Sequence, residues 1–162
     1  MLYWWEGLVA GFAATLVMTP LMQLGGAMGM TRMNMAELLG SMFRREAASA
    51  RRLGLVLHLM NGVVFGLAYA LVWWGLDPAL EDAWWLGLIF GGVHSVVAMV
   101  MMPVMSSMHP RVGPSETAAP GEVVLPRFGF GGTGFGSMTP VGILMGHLVF
   151  GLVWGLVFWW LV

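Results

Sequence analysis

Four long apolar stretches constrain this chain more than any other feature. They run approximately over Tyr3–Gly25, Leu53–Gly75, Trp84–Met105 and Pro140–Val162. Each is long enough for a helix to cross the roughly 30 Å hydrocarbon core of a bilayer, which needs about 20 residues. None alternates in the way that a strand of a closed barrel does, and barrels are the other structure that spans membranes. The chain is therefore predicted to contain four transmembrane helices.

The composition supports a membrane location for most of the chain. Of the 162 residues, 9% are charged, against about 25% in a soluble domain. The length favours one domain, so residues 1–162 are predicted to form a single membrane domain. The fold class predicted is an all-α membrane protein with the lipid bilayer as its first partner.

The basic residues, which are all arginines, predict the orientation. They occupy the link between spans one and two and the link between spans three and four, as Arg32, Arg44, Arg45, Arg51, Arg52, Arg111 and Arg127. Trp-Trp pairs at 4–5, 73–74, 84–85 and 159–160 mark the opposite side as an aromatic belt. By the positive-inside rule, links 26–52 and 106–139 are expected in the cytoplasm and both termini outside. A generic resemblance to small four-span proteins implies a bacterial cytoplasmic (inner) membrane.

The two arginine-bearing links differ in kind. Residues 34–52 begin with Asn34 and Glu37, a helix N-cap followed by an acid three residues on. They predict a short amphipathic helix on the cytoplasmic leaflet, with a solvated connector helix as the alternative. The link 106–139 is rich in proline and glycine and exceeds thirty residues, so it is predicted to be either disordered or functional.

The chain also reads as a tandem duplication of a two-helix hairpin. With His58 placed over His147, six of twelve positions are identical, and Val17–Met22 matches Val100–Met105 as V-M-x-P-x-M. Repeat one is predicted over about 3–75 and repeat two over about 84–162, related by an axis along the membrane normal. A Gly-x-x-x-Gly pair in every span predicts a tight four-helix bundle with inward glycine faces.

Histidines within the spans are the residues that could bind a cofactor. His58 and His147 are candidate axial ligands of haem b, because the repeat places them at equivalent depth. A copper(I) site is the alternative, since thioethers and imidazoles are soft ligands. Its candidate ligands are His58, His94, His147, Met18, Met22, Met101 and Met105. Two interpretations stay open beside these: a proton or small-cation path, and neutral histidines that only hydrogen-bond between helices while methionine fills gaps.

The sequence gives no support to several other functions. There is no cysteine, which excludes thiol catalysis and iron–sulfur clusters, and a net charge of −1 argues against nucleic acid as a partner. Residues 129–134 fit G-x-G-x-x-G, but no strand precedes them. No Ser/His/acid arrangement can be placed at matched depth, so the protein is expected not to be an enzyme. The sequence favours an accessory or structural subunit of a larger membrane complex, in contact with other membrane subunits. A haem b or copper protein is the alternative, and a small transporter or channel the second alternative.

Overall fold

A computed structural model describes residues 2–114 and 119–162 of the chain. Within these residues the protein is helical, at 75% helix, and contains no strand. Its α-helices are α1 (Trp4–Ala27), α2 (Met35–Gly40), α3 (Ala47–Leu76), α4 (Ala83–Met108) and α5 (Thr139–Leu161), with short 3₁₀ segments at Leu80–Asp82 and Phe130–Phe135. α1, α3, α5 and the stretch Leu80–Met108 are long and apolar enough to cross a membrane. The predicted helical class with four apolar spans is confirmed.

The second span begins earlier than the sequence predicts. α3 starts at Ala47, whereas the apolar stretch starts at Leu53. The carboxylate of Glu46 caps the new helix, because its two oxygens accept hydrogen bonds from the backbone N–H groups of Ala48 and Ser49, both at 2.8 Å. Hydrogen bonds from Ser49, and then from Ala48, lower the pKa of Glu46. Residues 47–52, which the sequence assigned to the first arginine-bearing link, therefore belong to α3.

The helix predicted over 34–52 is too long. α2 has six residues, and residues 41–46 turn back so that α2 packs against the start of α3. A Cβ placed on Gly40 would overlap the carbonyl oxygen of Ala50, which shows how closely the two backbones approach. The predicted N-cap is present, since Asn34 Oδ1 accepts a hydrogen bond from Glu37 N at 3.0 Å. The helix α2 ends early where its backbone packs closely against that of α3. The spacing of apolar residues in the sequence does not reveal such packing.

The chain divides into two compact units. The tryptophan unit contains Met1–Met22, Leu59–Val96 and Leu144–Val162, and the arginine unit contains Gln23–His58 and Val97–Ile143. All nine tryptophans fall in the first and all seven arginines in the second, while the eight acidic residues divide equally. The arginine unit therefore carries a formal excess of positive charge, and the tryptophan unit an excess of negative charge.

Glycines set the helix contacts within the tryptophan unit. A Cβ on Gly66 of α3 would overlap the Gly7 carbonyl oxygen of α1, and a Cβ on Gly151 of α5 would overlap the Gly87 carbonyl oxygen of α4. Gly155 approaches the Ala83 carbonyl oxygen in the same way. Backbones at this distance gain dispersion contacts and leave no room for a side chain, which is how helices associate in lipid.

The largest buried side chain of this unit is Trp154, with 0% of its surface exposed. Its indole N–H donates a hydrogen bond to the Gly66 carbonyl oxygen at 3.1 Å, and its ring stacks on Phe158 at a centroid distance of 4.6 Å. The absence of a side chain at Gly66 leaves that carbonyl accessible to the indole. Trp154 thus ties α5 to α3 as well as filling the core.

In the arginine unit, the described part of the long second link has a defined conformation. The backbone N–H of Val123 donates to the carbonyl oxygen of Arg45 at 2.9 Å, and that of Leu125 donates to the carbonyl oxygen of Arg111 at 2.8 Å. Gly131 and Gly132 are buried with φ of +60° and +74°, values that side chains rarely tolerate. Gly131, a glycine of the G-x-G-x-x-G match, and its neighbour Gly132 therefore serve a tight turn of the backbone.

Candidate functional site

The tryptophan unit brings two of the predicted ligand residues together. His94 of α4 and His147 of α5 lie with their ring centroids 4.5 Å apart and their planes at 75°, an edge-to-face contact. Both side chains are half-buried. Gly91 makes this approach possible, because a Cβ there would overlap the backbone carbonyl oxygen of His147. The sequence had paired His147 with His58 by the repeat; the structure shows the pair His94–His147.

Two aromatic side chains of α3 complete the surroundings of His94. The Tyr69 hydroxyl lies 3.2 Å from His94 Nδ1, within hydrogen-bond distance, and Phe65 covers the imidazole with ring centroids 3.9 Å apart. Tyr69 is 6% exposed and is held by edge-on contacts with Phe150 and Trp154. The Tyr69 hydroxyl is therefore held in position by the packing of its ring, and it orients the His94 imidazole.

The sequence did not identify Tyr69 and Phe65 as site residues. A signal for them was present, since the spacing of four residues places both on the helix face that also carries His58. What periodicity could not supply is the neighbouring helix. His94 lies on α4, and its contact with the α3 aromatics depends on how the two helices pack.

The candidate methionines are not all in one place. Met18 is 6% exposed, and Met18 and Met22 lie 3.6–3.9 Å from the position that a Cβ on Gly146 would occupy, next to His147 in sequence. Met101, in contrast, is 46% exposed, and Met105 is half-buried in the arginine unit. The thioethers of α1 therefore lie beside the segment of α5 that carries His147.

His58 is buried, at 8% exposure, and belongs to the arginine unit. The hypothesis of haem b held by His58 and His147 stays a prediction. So does the wider metal hypothesis, although in residues 2–114 and 119–162 no group of three or more His, Asp or Glu residues could hold a metal ion. A site built from histidine and methionine is of a different kind, because its thioether ligands are neutral and soft.

The arginine unit has its own concave feature, a cleft of about 900 Å³ at the end of α4. Ser106, His109 and Arg127 supply polar groups to its wall. His109 is 5% exposed and neutral by its contacts: Nε2 donates to the Leu38 carbonyl oxygen at 3.0 Å, and Nδ1 accepts from Arg111 N at 3.1 Å. The His109 imidazole has a structural role, because one of its nitrogens binds the Leu38 carbonyl oxygen of α2 and the other binds the backbone N–H of Arg111.

His109 should make the folded protein less stable in acid. Burial lowers the pKa of His109 below its usual 6.5, Arg111 acts in the same direction, and the hydrogen bond to Leu38 opposes them. The unfolded chain therefore binds the proton first, and stability is lost as the pH falls below about 6.5. We expect the SDS midpoint of unfolding to drop between about pH 7.5 and pH 5, and to drop less in His109→Gln, whose amide does not titrate. An equal drop in the two proteins would contradict this role.

Four long apolar helices in a helical chain with few charges define the class of multi-pass α-helical membrane proteins. No family model, curated protein or solved structure matches the chain. Its function must be argued from its own residues.

Proposed function

We propose that this chain is a small non-enzymatic integral membrane protein of a bacterial inner membrane, an accessory or structural subunit that acts through contact with other membrane subunits. The observation that carries the proposal is the folding of the two arginine-bearing links onto one another, through the hydrogen bond from Val123 N to the Arg45 carbonyl oxygen and that from Arg32 N to the Phe135 carbonyl oxygen. A link with a fixed shape can present a surface to a partner without a further domain.

An exposed part of that surface is the turn after α2, Phe43–Arg45, which we term the link face. Phe43 is 68% exposed, and both arginines beside it are exposed as well. The backbone of Arg45 is fixed from both sides, since the next residue but one, Ala47, donates to the Gly121 carbonyl oxygen at 3.0 Å. An exposed aromatic flanked by arginines resembles the composition of contact surfaces, which are enriched in both residue types.

Blue-native electrophoresis after gentle detergent extraction tests the proposal. We expect the native protein to migrate in a complex that contains other polypeptides, and Phe43→Ser to release it. The matched control is Leu76→Ser, which removes an apolar side chain of 60% exposure at the far end of α3 and should leave the complex intact. Migration of the native protein alone, or only with a differently tagged copy of itself, would count decisively against an accessory subunit.

The proposed orientation places the links 26–52 and 106–139 in the cytoplasm, and both termini and the helix ends that carry the Trp pairs outside. It is supported by the separation of nine tryptophans from seven arginines and by the exposure of the terminal tryptophans, 55% for Trp4 and 77% for Trp160. Exposed tryptophan at helix ends is typical of a membrane–water interface, and arginine of the cytoplasmic side.

Cysteine labelling measures this orientation directly, because the chain has no cysteine of its own. Ala79 and Thr133 are both exposed. A single cysteine at position 79 reports the side of the link between α3 and α4, and one at position 133 reports the side of the link 106–139. In intact spheroplasts a membrane-impermeant maleimide should label Ala79→Cys at once and Thr133→Cys only after permeabilisation. The reverse pattern would invert the topology.

The duplicated hairpin belongs to the same proposal. Each half packs its two long helices at glycines, and Gly66 and Gly155, which the alignment of His58 with His147 makes equivalent, each approach the backbone of the helix that precedes theirs in the membrane. Gly62 and Gly151 form a second equivalent pair, again against the preceding long helix. Matching contacts at matching positions support two copies of one ancestral hairpin.

A further inference from the structure

We infer that His94 and His147 form a binding site for copper(I) inside the tryptophan unit, with a thioether of α1 as a third ligand. The inference goes beyond the accessory role proposed above and does not depend on it. Its first basis is the distance of 4.5 Å between the two imidazole centroids. Two imidazoles that bind one metal ion at metal–N lengths of about 2 Å have centroids roughly 4.5 Å apart when the N–metal–N angle is about 90°, and roughly 5.2 Å apart when it is about 110°.

The second basis is the hydrogen bond between Tyr69 and His94. A histidine that ligates a metal uses one ring nitrogen for the metal and the other for a fixed partner, which sets its tautomer and orientation. Tyr69 lies 3.2 Å from His94 Nδ1 and is 6% exposed, so it supplies such a partner and leaves Nε2 as the ligand atom. Phe65 packs against the same imidazole with its ring tilted by 34°, and it limits rotation of the imidazole.

The third basis is the position of Met18 and Met22. Met18 Sδ lies 3.6 Å and Met22 Cγ 3.9 Å from the position that a Cβ on Gly146 would occupy, so the thioether sulfur of Met18 lies beside the residue that precedes His147. Met18 is 6% exposed, so its side chain lies within the protein, although an apolar side chain in a span could equally lie against lipid. A thioether and two imidazoles are neutral and soft, and they bind copper(I) in preference to hard divalent ions.

The charge of the ion decides between copper(I) and zinc(II). The residues named here contribute no carboxylate, and the chain has no thiolate, so neutral ligands would leave the full charge of a dication buried within the spans. The cost of moving an ion into a medium of low dielectric constant rises with the square of its charge, which makes a monovalent ion far less costly to hold. The site therefore fits copper(I).

An anaerobic titration of the purified protein in detergent tests the site, with a colorimetric copper(I) chelator as the competitor. We expect one copper(I) per chain, with affinity lowered at least 10-fold in His94→Ala and in His147→Ala, and about 10-fold in Tyr69→Phe, which keeps the fold but removes the partner of His94. X-ray absorption of the loaded protein should show nitrogen and sulfur ligands together.

A matched pair of methionine variants separates this site from incidental copper binding by sixteen methionines. Met18→Leu should weaken binding, whereas Met101→Leu, at a position with 46% exposure on the helix that carries His94, should not. Failure of the native protein to compete with the chelator would overturn the inference. So would equal affinity in the native, Tyr69→Phe and Met18→Leu proteins, since none of these comparisons needs a histidine variant that folds.

Discussion

Gly66→Ala and Gly155→Ala should each lower the free energy of unfolding by about 1–3 kcal/mol, the usual effect of forcing an extra methyl group into a packed interior. At Gly66 the new Cβ would overlap the Gly7 carbonyl oxygen, and at Gly155 it would overlap the Ala83 carbonyl oxygen. In both places the obstacle is backbone of a neighbouring helix, which cannot rotate aside as a side chain can. The two long helices of a hairpin must then separate.

The controls lie on the same helices. Gly75 of α3 and Gly142 of α5 have no atom within 4 Å of a Cβ position, so alanine there should not lower stability and should favour the helix slightly. Titration with SDS, followed by fluorescence of the nine tryptophans, compares all four variants in one assay. Equal midpoints for Gly155→Ala and Gly142→Ala would show that the close approach does not stabilise the protein. Similar losses at Gly66 and Gly155 would add support to the duplicated hairpin.

Trp154→Ala should have the largest effect of any single truncation in the tryptophan unit, a loss of about 3 kcal/mol. This is the lower end of the range for Trp→Ala in soluble cores, because lipid and protein interior are similarly apolar and the loss comes from the cavity and its dispersion contacts. Trp154 is 0% exposed and contacts Tyr69, Phe90 and Phe158. The vacated volume cannot be filled by these rigid rings.

Two further variants separate the contributions of Trp154. Trp154→Phe removes the hydrogen bond to the Gly66 carbonyl oxygen but keeps a ring, and we expect it to lose far less, with about 0.6 kcal/mol for the hydrogen bond. Trp160→Ala, on the same helix at 77% exposure, should leave the SDS midpoint nearly unchanged. A larger effect at Trp160 than at Trp154 would mean that interfacial anchoring, and not the core, stabilises the bundle.

Hydrophobic length made the helical class predictable, because a run of about 20 apolar residues satisfies its backbone in lipid only as a helix. The start of α3 was missed for a corresponding reason. Residues 47–52 carry two arginines and break the apolar run, yet they are helical because Glu46 caps them and α2 packs against them. Likewise, the prediction of a helix over 34–52 missed the turn at 41–46, which depends on contacts between Gly40 and Ala50.

The candidate site was predicted in part. The sequence identified His94, His147 and Met18 as possible ligands, since polar and soft side chains are conspicuous in apolar helices. It did not identify His94 as the neighbour of His147, because alignment of repeats finds equivalent positions, such as His58 and His147, and not neighbours. The contact of His147 with His94, and of His94 with Tyr69, follows from how close α4 and α5 come at Gly91.

The sequence by itself determined that the helices are apolar enough for lipid, how many such helices there are, and that tryptophan is separated from arginine. These properties depend on composition and order along the chain. The tertiary structure alone decided which helix faces meet, where the links fold and which imidazole lies beside His147. The physical reason is that lipid does not distinguish one apolar helix face from another. Helix pairing is then set by short-range fit at glycines such as Gly66 and Gly155, and that fit exists only between helices already packed.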